Sequence, residues 1–260
     1  MSLQAALEVS LEKLRGQKLR PVTVAVVDSG VDAKHQELTG RVVRAVRVES
    51  GANGQRIRKN PVSRNNDLYG HGTAVASIVT QIAPNARILD VRVLDDQNIC
   101  TGETMVAGFQ HAIESGARII NMSLAANAKF AGALHELCQT AYRQNQIVIA
   151  ARRNVPLTDD GFPAEIATCI GVDIGKFPSP LQLLFAEDHV IEFVAHGDQV
   201  VVAAAGGGRT TVTGTSFATP AVAGMCALLV GANPDLRPFD VKSLLRAFAA
   251  NRALLRATKR

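Results

Sequence analysis

The sequence predicts an α/β protein with a mainly parallel sheet, and two observations carry that prediction. Short apolar runs alternate with longer helical segments along the chain, which is typical of βαβ units whose strands lie parallel in one sheet. The chain has 260 residues, of which 47% are hydrophobic, so it can bury a sizeable core. One large domain over residues 1–260 is the simplest division.

The pattern of apolar residues assigns the elements in order. A buried strand ends at Asp28, and further strands are predicted over 86–94, 117–124, 146–151, 168–174, 190–195 and 199–205. Helices are predicted over 71–82, 102–115, 131–144, 218–229 and 238–249. The polar and basic stretch 45–68 contains glycines, asparagines and a proline, and we predict that it is a mobile surface loop.

Residues 1–20 are predicted to be a short helical extension packed on the domain. Their apolar residues have helical spacing, at Leu3, Ala6, Leu7, Leu11 and Leu14. This stretch lacks the apolar core of a signal peptide, and no run of the chain is expected to approach membrane-spanning length. We therefore expect a cytoplasmic protein, or a secreted one if a leader has been removed.

Charge and cysteine content argue against several functions. The formal net charge is +5, but the basic residues are scattered, so the sequence predicts no nucleic-acid partner. The cysteines show no Cys-x-x-Cys spacing, which makes a zinc site a poor expectation. They are compatible with a reduced compartment at least as well as with a disulfide framework, and they are Cys100, Cys138, Cys169 and Cys226.

Three residues in separate motifs predict nucleophilic catalysis. Asp28 ends an apolar strand, where ligand sites of parallel sheets lie. His71 stands between two glycines at the start of a predicted helix, and Ser216 directly precedes the apolar segment 218–229. A nucleophilic serine needs a base, and the base needs a group that orients it. Each residue alone has a structural explanation, as a turn former, a helix-start histidine or an N-cap, but together they predict a triad.

These motifs resemble those of the subtilases, the subtilisin-like serine proteases. They are Val-Val-Asp-Ser-Gly-Val-Asp, Gly-His-Gly-Thr-Ala-Val-Ala and Gly-Thr-Ser-Phe-Ala-Thr-Pro, in the family's order, and the likeness extends over about residues 20–250. The resemblance implies a three-layer subtilisin-like fold and a serine endopeptidase that works through an acyl-enzyme. It also implies that Ser216 is the nucleophile, His71 the base and Asp28 the group that orients the histidine.

The resemblance extends to an oxyanion donor and a substrate edge. Asn154 follows the strand that ends at Ala151, where the family has an oxyanion asparagine, and the backbone N–H of Ser216 would be the second donor. The segment Ser123-Leu124-Ala125 matches the edge that binds an extended peptide by strand addition, with Ala125 in place of a glycine. Gly161 belongs to the segment that closes the pocket for the residue before the cut.

Several departures from the family pattern bear on function. Arg153 stands where the family usually has glycine, and a positive φ there would strain an arginine. Arg153 and the acidic pair Asp159–Asp160 are expected to approach the pocket with opposing effects on specificity. Ala74 replaces a histidine, and Ser77 replaces a glycine.

The sequence predicts no metal and no other cofactor. The predicted helix 71–82 leads directly into the next strand through Ala83, Pro84 and Asn85. This connection leaves no room for the calcium-binding loop that many secreted subtilases have at this point. Elsewhere in the chain, no cluster of carboxylates has convincing calcium spacing.

Pro220 falls within the predicted buried helix after Ser216. It lies close enough to the start of that helix to be tolerated, because the first amides of a helix have no helical partner.

Two alternative functions stay open. One is a non-catalytic peptide-binding homologue whose oxyanion geometry is lost at Arg153, although the intact triad argues against it. The other is a relative that joins or cyclises peptides by transamidation, which product mass would distinguish from hydrolysis. The expected partner is a peptide or protein substrate, without nucleic acid or membrane, and the sequence leaves the oligomeric state open.

Overall fold

A computed structural model describes residues 10–51, 54–154 and 161–249. Its strands are β1 Val22–Asp28, β2 Val42–Gly51, β3 Gly54–Asn60, β4 Ala86–Arg92, β5 Ile119–Met122, β6 Ile147–Ala151, β7 Ile170–Gly175, β8 Leu183–Phe185, β9 Phe193–His196, β10 Val200–Ala203 and β11 Arg209–Val212. Nine of them form the central sheet in the order β3-β2-β4-β1-β5-β6-β7-β9-β8, and β10 and β11 form a separate hairpin.

The helices cover both faces of the central sheet. They are α1 His71–Ile82, α2 Gly102–Glu114, α3 Ala131–Arg143, α4 Thr215–Ala232 and α5 Pro238–Phe248. The side chains of α1, α4 and α5 share one hydrophobic core, and those of α2 and α3 share the core on the opposite face. The predicted three-layer α/β fold is confirmed.

The central sheet is parallel except at its margins. The pairs β2–β3 and β8–β9 are antiparallel, and all other neighbours are parallel. The strand β1 lies between β4 and β5, and its apolar side chains are buried because helices cover both faces. Parallel strands end at the same edge, so the residues that follow β1, β5 and β6 lie together there.

The prediction of a mobile loop over 45–68 was wrong. Most of the stretch is the hairpin of β2 and β3, and β2 also pairs with β4. Val46 and Val48 are buried on one face of β2. This period-two pattern outweighs the glycines and asparagines, of which Gly51, Gly54 and Asn60 are part of the strands. The part of the stretch after β3 is also packed against the domain, because Asn65 and Asp67 are buried.

Other differences from the prediction are small. The strands β8 and β11 were missed, because runs of three and four residues are too short to show a reliable alternation. In the N-terminal extension, residues 10–15 are helical and Leu11 is buried in the core. The predicted helical positions Leu3, Ala6 and Leu7 lie outside the described residues.

The helix α4 is long and apolar enough to cross a membrane, judged by length and composition alone. The expectation that no run approaches membrane-spanning length was therefore wrong. The apolar surface of α4 packs against α1 and the sheet, and 78% of the helix is buried inside the domain. An apolar helix of this kind is also what the centre of a large soluble domain requires.

The close contact between α1 and α4 leads to a stability prediction. A Cβ on Gly224 would lie 2.7 Å from both Cβ and Cγ2 of Ile82, and these atoms are not the end of a flexible side chain. We expect Gly224→Ala to lower the free energy of unfolding by about 1–2 kcal/mol, because overpacking outweighs the better helix propensity of alanine. Urea denaturation measures this change.

Gly132→Ala is the matched control. A Cβ on Gly132, which lies in α3, would have nothing within 4 Å. This variant should be as stable as the parent or slightly more stable. Equal stability of the two variants would contradict the tight packing of α1 on α4.

Candidate active site

Asp28 and His71 are in direct contact where β1 ends and α1 begins. Asp28 Oδ1 lies 2.7 Å from His71 Nδ1 and accepts a second 2.7 Å hydrogen bond from the Ser29 backbone N–H. The Asp28 side chain is fully buried and that of His71 is 12% exposed. Because a carboxylate only accepts hydrogen bonds, the histidine donates from Nδ1. The lone pair of Nε2 is therefore available to take a proton.

The surroundings of His71 change its basicity. Burial by itself would lower the pKa of His71, but the charge of Asp28, the hydrogen bond to Asp28 and the charge of Asp67 act in the opposite direction, and the pKa is raised. The Asp28 contact therefore favours the protonated imidazole. A histidine in this setting is a stronger base than a free one.

The first turn of α1 approaches the end of β1 closely. A Cβ on Gly72 would lie 2.2 Å from the carbonyl oxygen of Gly30, so only glycine allows this approach. The Gly72 N–H donates to Ser29 Oγ at 2.9 Å. These contacts place His71 over the end of β1.

Asp67 is a residue of the site that sequence reasoning missed. Its Oδ1 accepts hydrogen bonds from Ser29 Oγ and the Gly70 N–H at 3.0 and 2.8 Å. Its Oδ2 accepts from both the backbone N–H and the hydroxyl of Thr73 at 2.9 and 2.8 Å. The sequence did contain a signal for Asp67. It is an acidic residue just ahead of the predicted helix 71–82, where the helix dipole favours a carboxylate.

Ser216 is the second residue of α4 and forms a reciprocal pair with Ser123. Ser216 Oγ donates to the Ser123 carbonyl oxygen at 3.0 Å, and Ser123 Oγ donates to the Ser216 carbonyl oxygen at 2.9 Å. Pro220 explains why the Ser216 carbonyl is available, since proline has no N–H to donate to the carbonyl four residues earlier. The sequence predicted that Pro220 lies so near the start of the helix that no backbone hydrogen bond is lost there. This was wrong, because the helix already begins at Thr215.

The starts of α1 and α4 meet at this edge of the sheet. The rings of His71 and Phe217, the residue after Ser216, have centroids 5.2 Å apart. In this conformation the Ser216 hydroxyl is bonded to Ser123. A proton transfer from Ser216 Oγ to His71 would require this hydrogen bond to break.

The side chain of Asn154 is oriented by Thr215, another residue that sequence reasoning missed. The Thr215 hydroxyl lies 3.0 Å from Asn154 Oδ1 and 2.8 Å from the carbonyl oxygen of Arg152. The hydroxyl has one proton, which these two oxygens share. Because Oδ1 faces Thr215, Nδ2 is the end of the amide that can donate to a negatively charged oxygen. In an α-helix the first N–H groups have no helical acceptor, so the Ser216 N–H can be a second donor.

The backbone at Arg153 is not strained. Among the described residues, the non-glycine positions with positive φ are Asn98, Asn145 and Gln199. Arg153 is not among them, so its substitution for glycine costs no backbone strain.

The predicted substrate edge lies beside Ser216. Within the described chain, no hydrogen bond engages the backbone groups of Leu124 and Ala125, which suits an added peptide strand. The next residue, Ala126, pairs in both directions with Phe162 at 2.8 and 3.1 Å. A groove of about 590 Å³ lies next to this edge, between residues 124–127 and the residues 94–105.

Gly161 meets Ala125 and Arg153 at one end of the groove. Gly161 has a φ of +86°, and a Cβ there would lie 2.9 Å from the Cβ atoms of both neighbours. The structure thus brings together the residues predicted to form the pocket. The predicted contribution of Asp159 and Asp160 lies outside the described residues.

The described residues contain no group of three or more histidine, cysteine or acidic side chains arranged to hold a metal ion. The connection from α1 to β4 consists of Ala83, Pro84 and Asn85. The prediction that no cofactor is needed stays a prediction.

A further buried acid lies behind the site. Asp90 of β4 is fully buried, and its Oδ2 accepts a 2.7 Å hydrogen bond from Asn65 Nδ2, which also lies 2.8 Å from the carbonyl oxygen of Val31. Burial raises the pKa of Asp90 to about 8, and the charges of Asp67 and Asp28 add to the rise, although the bond from Asn65 opposes it. Asp90 is therefore a neutral acid near pH 7.

The fold and the site define an α/β protein with an aspartate–histidine pair beside a serine at the start of a buried helix. This is the composition of a serine hydrolase site. The chain belongs to the Subtilase family, whose profile matches residues 20–259.

Two curated relatives and one solved structure illustrate the similarity. Subtilisin DY of Bacillus licheniformis is 30% identical over 253 residues, which cover 91% of this chain and 86% of the relative. The intracellular serine protease of Paenibacillus polymyxa is 30% identical over 224 residues, or 81% of this chain and 67% of the relative. The structure of Sphericase shares the fold, with a TM-score of 0.72, 24% identity and coverage of 91% of this chain and 88% of that one. The chain is thus a homologue of subtilisin-like serine proteases.

Replacement of Asp90 should change how stability depends on pH. The folded protein binds this proton up to a pH of about 8, whereas the unfolded chain loses it near the ordinary pKa of about 3.9. Asp90 therefore lowers stability as the pH rises between these values, by at most about 1.4 kcal/mol per pH unit. Asp90→Asn, which stays neutral, should lose this component and be more stable than the parent at pH 8.

Urea denaturation of both proteins from pH 5 to 8 measures the difference. The advantage of Asp90→Asn should grow with pH across this range. A stability difference that is independent of pH would show that Asp90 ionises normally in the folded protein.

Proposed function

We propose that this protein is a serine endopeptidase that cleaves peptide bonds through an acyl-enzyme. The observation that carries the proposal is the buried 2.7 Å contact between Asp28 and His71, at the edge where Ser216 begins α4. In the proposed reaction Ser216 Oγ attacks the carbonyl carbon while His71 takes its proton. The histidine then protonates the leaving amine, and water attacks the acyl-enzyme with His71 again as base.

Asp28 and Asn154 support this reaction in different ways. Asp28 holds the Nδ1–H of His71 and stabilises the imidazolium that forms. The Asn154 amide and the Ser216 N–H donate to the oxygen that becomes negatively charged in the tetrahedral intermediate. The orientation of the Asn154 amide, with Oδ1 facing the Thr215 hydroxyl, supports this assignment, because the donor end of the amide then faces away from Thr215.

The substrate is a peptide or protein chain bound in an extended conformation. The proposed partner of the substrate backbone is the backbone of Leu124 and Ala125, which no hydrogen bond among the described residues engages. The reciprocal hydrogen bonds of Ser123 with Ser216 support this proposal, since they join Ser216 to the residue that precedes Leu124. Gly161 closes the same end of the groove.

The proposal of a non-catalytic peptide-binding protein loses its main argument. It rested on a distorted oxyanion site at Arg153, whereas the backbone there has an ordinary conformation. We therefore prefer catalysis.

We also propose that the protein acts in the cytoplasm. All four cysteines are free thiols, which agrees with a reducing compartment. The Paenibacillus polymyxa relative is named as an intracellular protease, which supports the same location.

A fluorophosphonate probe should label the protein once, at Ser216, because an activated serine is far more nucleophilic than the others. Labelling should disappear in Ser216→Ala and fall sharply in His71→Ala. The rate should rise with pH through the pKa of His71, which lies above its ordinary value, because the base has to be neutral. Mass spectrometry of labelled peptides locates the modification.

Circular dichroism of the two variants provides the control. It is needed most for His71→Ala, because that change leaves the buried Asp28 carboxylate without its partner. Folded parent protein that stays unlabelled between pH 7 and 9 would contradict the proposed function.

Asn154→Ala should reduce turnover with little change in KM. Removal of such a donor from subtilisin, the established example, lowers kcat by about 10²–10³, and we expect a loss of the same order. Steady-state kinetics on a chromogenic peptide measure it. Asn233→Ala, which removes an asparagine at the far end of α4, is the control, and an unchanged kcat in Asn154→Ala would exclude the donor role.

A further inference from the structure

Arg153 is the one charged side chain among the described residues that line the substrate groove. The other lining residues are apolar or neutral, with Leu94, Met105, Leu124 and Phe130 among them. A charge in such a setting interacts more strongly with an opposite charge than it would in bulk water. The guanidinium of Arg153 is therefore placed to discriminate between substrates by charge.

The stem of Arg153 lies where the residue before the scissile bond has to bind. A Cβ on Gly161 would be 2.9 Å from Arg153 Cβ and 3.4 Å from its Nε, so the side chain runs across Gly161. Asn154, the next residue, is the proposed oxyanion donor. The reacting carbonyl carbon belongs to the substrate residue before the cut and is bonded to its Cα, so the side chain of that residue begins beside Asn154 and the edge at Ala125.

The two neighbouring arginines differ in their surroundings. Arg152 forms an ion pair with Asp173 of β7 at 2.7 Å. Arg153, which also has contacts of its own, is the arginine that lines the groove. A guanidinium has five N–H donors in one plane. It can bind a substrate carboxylate through two of them while it keeps other contacts.

We propose that Arg153 selects substrates with an acidic side chain, aspartate or glutamate, immediately before the scissile bond. The inference rests on the proposed endopeptidase function and names its substrate class. A glutamine side chain has the shape of glutamate but no charge, and a charge-assisted hydrogen bond is roughly twice as strong as a neutral one. The comparison of glutamate with glutamine therefore isolates the charge.

The test uses two peptidyl diphenyl phosphonates that differ only in their last residue, a glutamate or a glutamine analogue. Both react with the active serine, so the second-order rate of inactivation reports recognition without the need for turnover. The parent protein should react about tenfold faster with the glutamate reagent. The ratio should fall to about one in Arg153→Gln and below one in Arg153→Glu.

Lys129→Gln is the matched control for charge. Its ammonium lies over the Phe130 ring at 5.1 Å, it is 74% exposed, and it is not among the residues that line the groove. Removal of this charge should leave the ratio of the two rates unchanged. If Lys129→Gln lowers the ratio as much as Arg153→Gln does, the preference comes from the general field of the protein and the proposal fails.

The fluorophosphonate probe separates this inference from the proposed function. Suppose that the parent protein reacts with the fluorophosphonate but its two phosphonate rates have a ratio near one. In that case the protein has the activity without the specificity, and only the inference fails. The same holds if the ratio is unchanged in folded Arg153→Gln. Parent protein that reacts with neither class of reagent overturns the proposed function and the inference together. Circular dichroism establishes that each variant is folded.

Discussion

The site depends on the close approach of the first turn of α1 to the carboxyl end of β1. Gly72 allows this approach, since any side chain there would overlap the Gly30 carbonyl. The approach brings His71 within 2.7 Å of Asp28. Asp67 secures it by binding Ser29, Gly70 and Thr73, which belong to both sides of the junction. If the two elements moved apart, the buried Asp28 carboxylate would lose its partner, which is costly in a dry interior.

The buried helix α4 connects the nucleophile to the substrate edge. Pro220 has no backbone N–H to donate to the Ser216 carbonyl oxygen, and the hydroxyl of Ser123 donates to that oxygen instead. The return bond from Ser216 Oγ to Ser123 O ties the end of β5 to the start of the helix. A local defect in the helix thus becomes a contact between the proposed nucleophile and the segment proposed to bind peptide, and burial of α4 keeps both in place.

Arg153 and Asn154 show how adjacent residues can serve different purposes. Asn154 turns its amide oxygen to Thr215, while Arg153 crosses Gly161 and lines the groove. The arginine needs no unusual backbone conformation, so we expect Arg153 to affect the chemistry of the groove and not the path of the chain. A difference from relatives at this position is therefore expected in substrate preference and not in the reaction.

The sequence by itself determined the fold class and most strands and helices, because apolar periodicity is a local property. Its short motifs also named Asp28, His71 and Ser216 as the proposed catalytic residues. It misassigned the hairpin of β2 and β3, whose place in the sheet depends on pairing with β4. It also missed Asp67, Thr215 and Asp90, whose roles depend on partners far away in the chain, such as Ser29 for Asp67 and Asn154 for Thr215. Only the tertiary structure decided these contacts, because burial and hydrogen bonding between distant segments leave no periodic signal in the sequence.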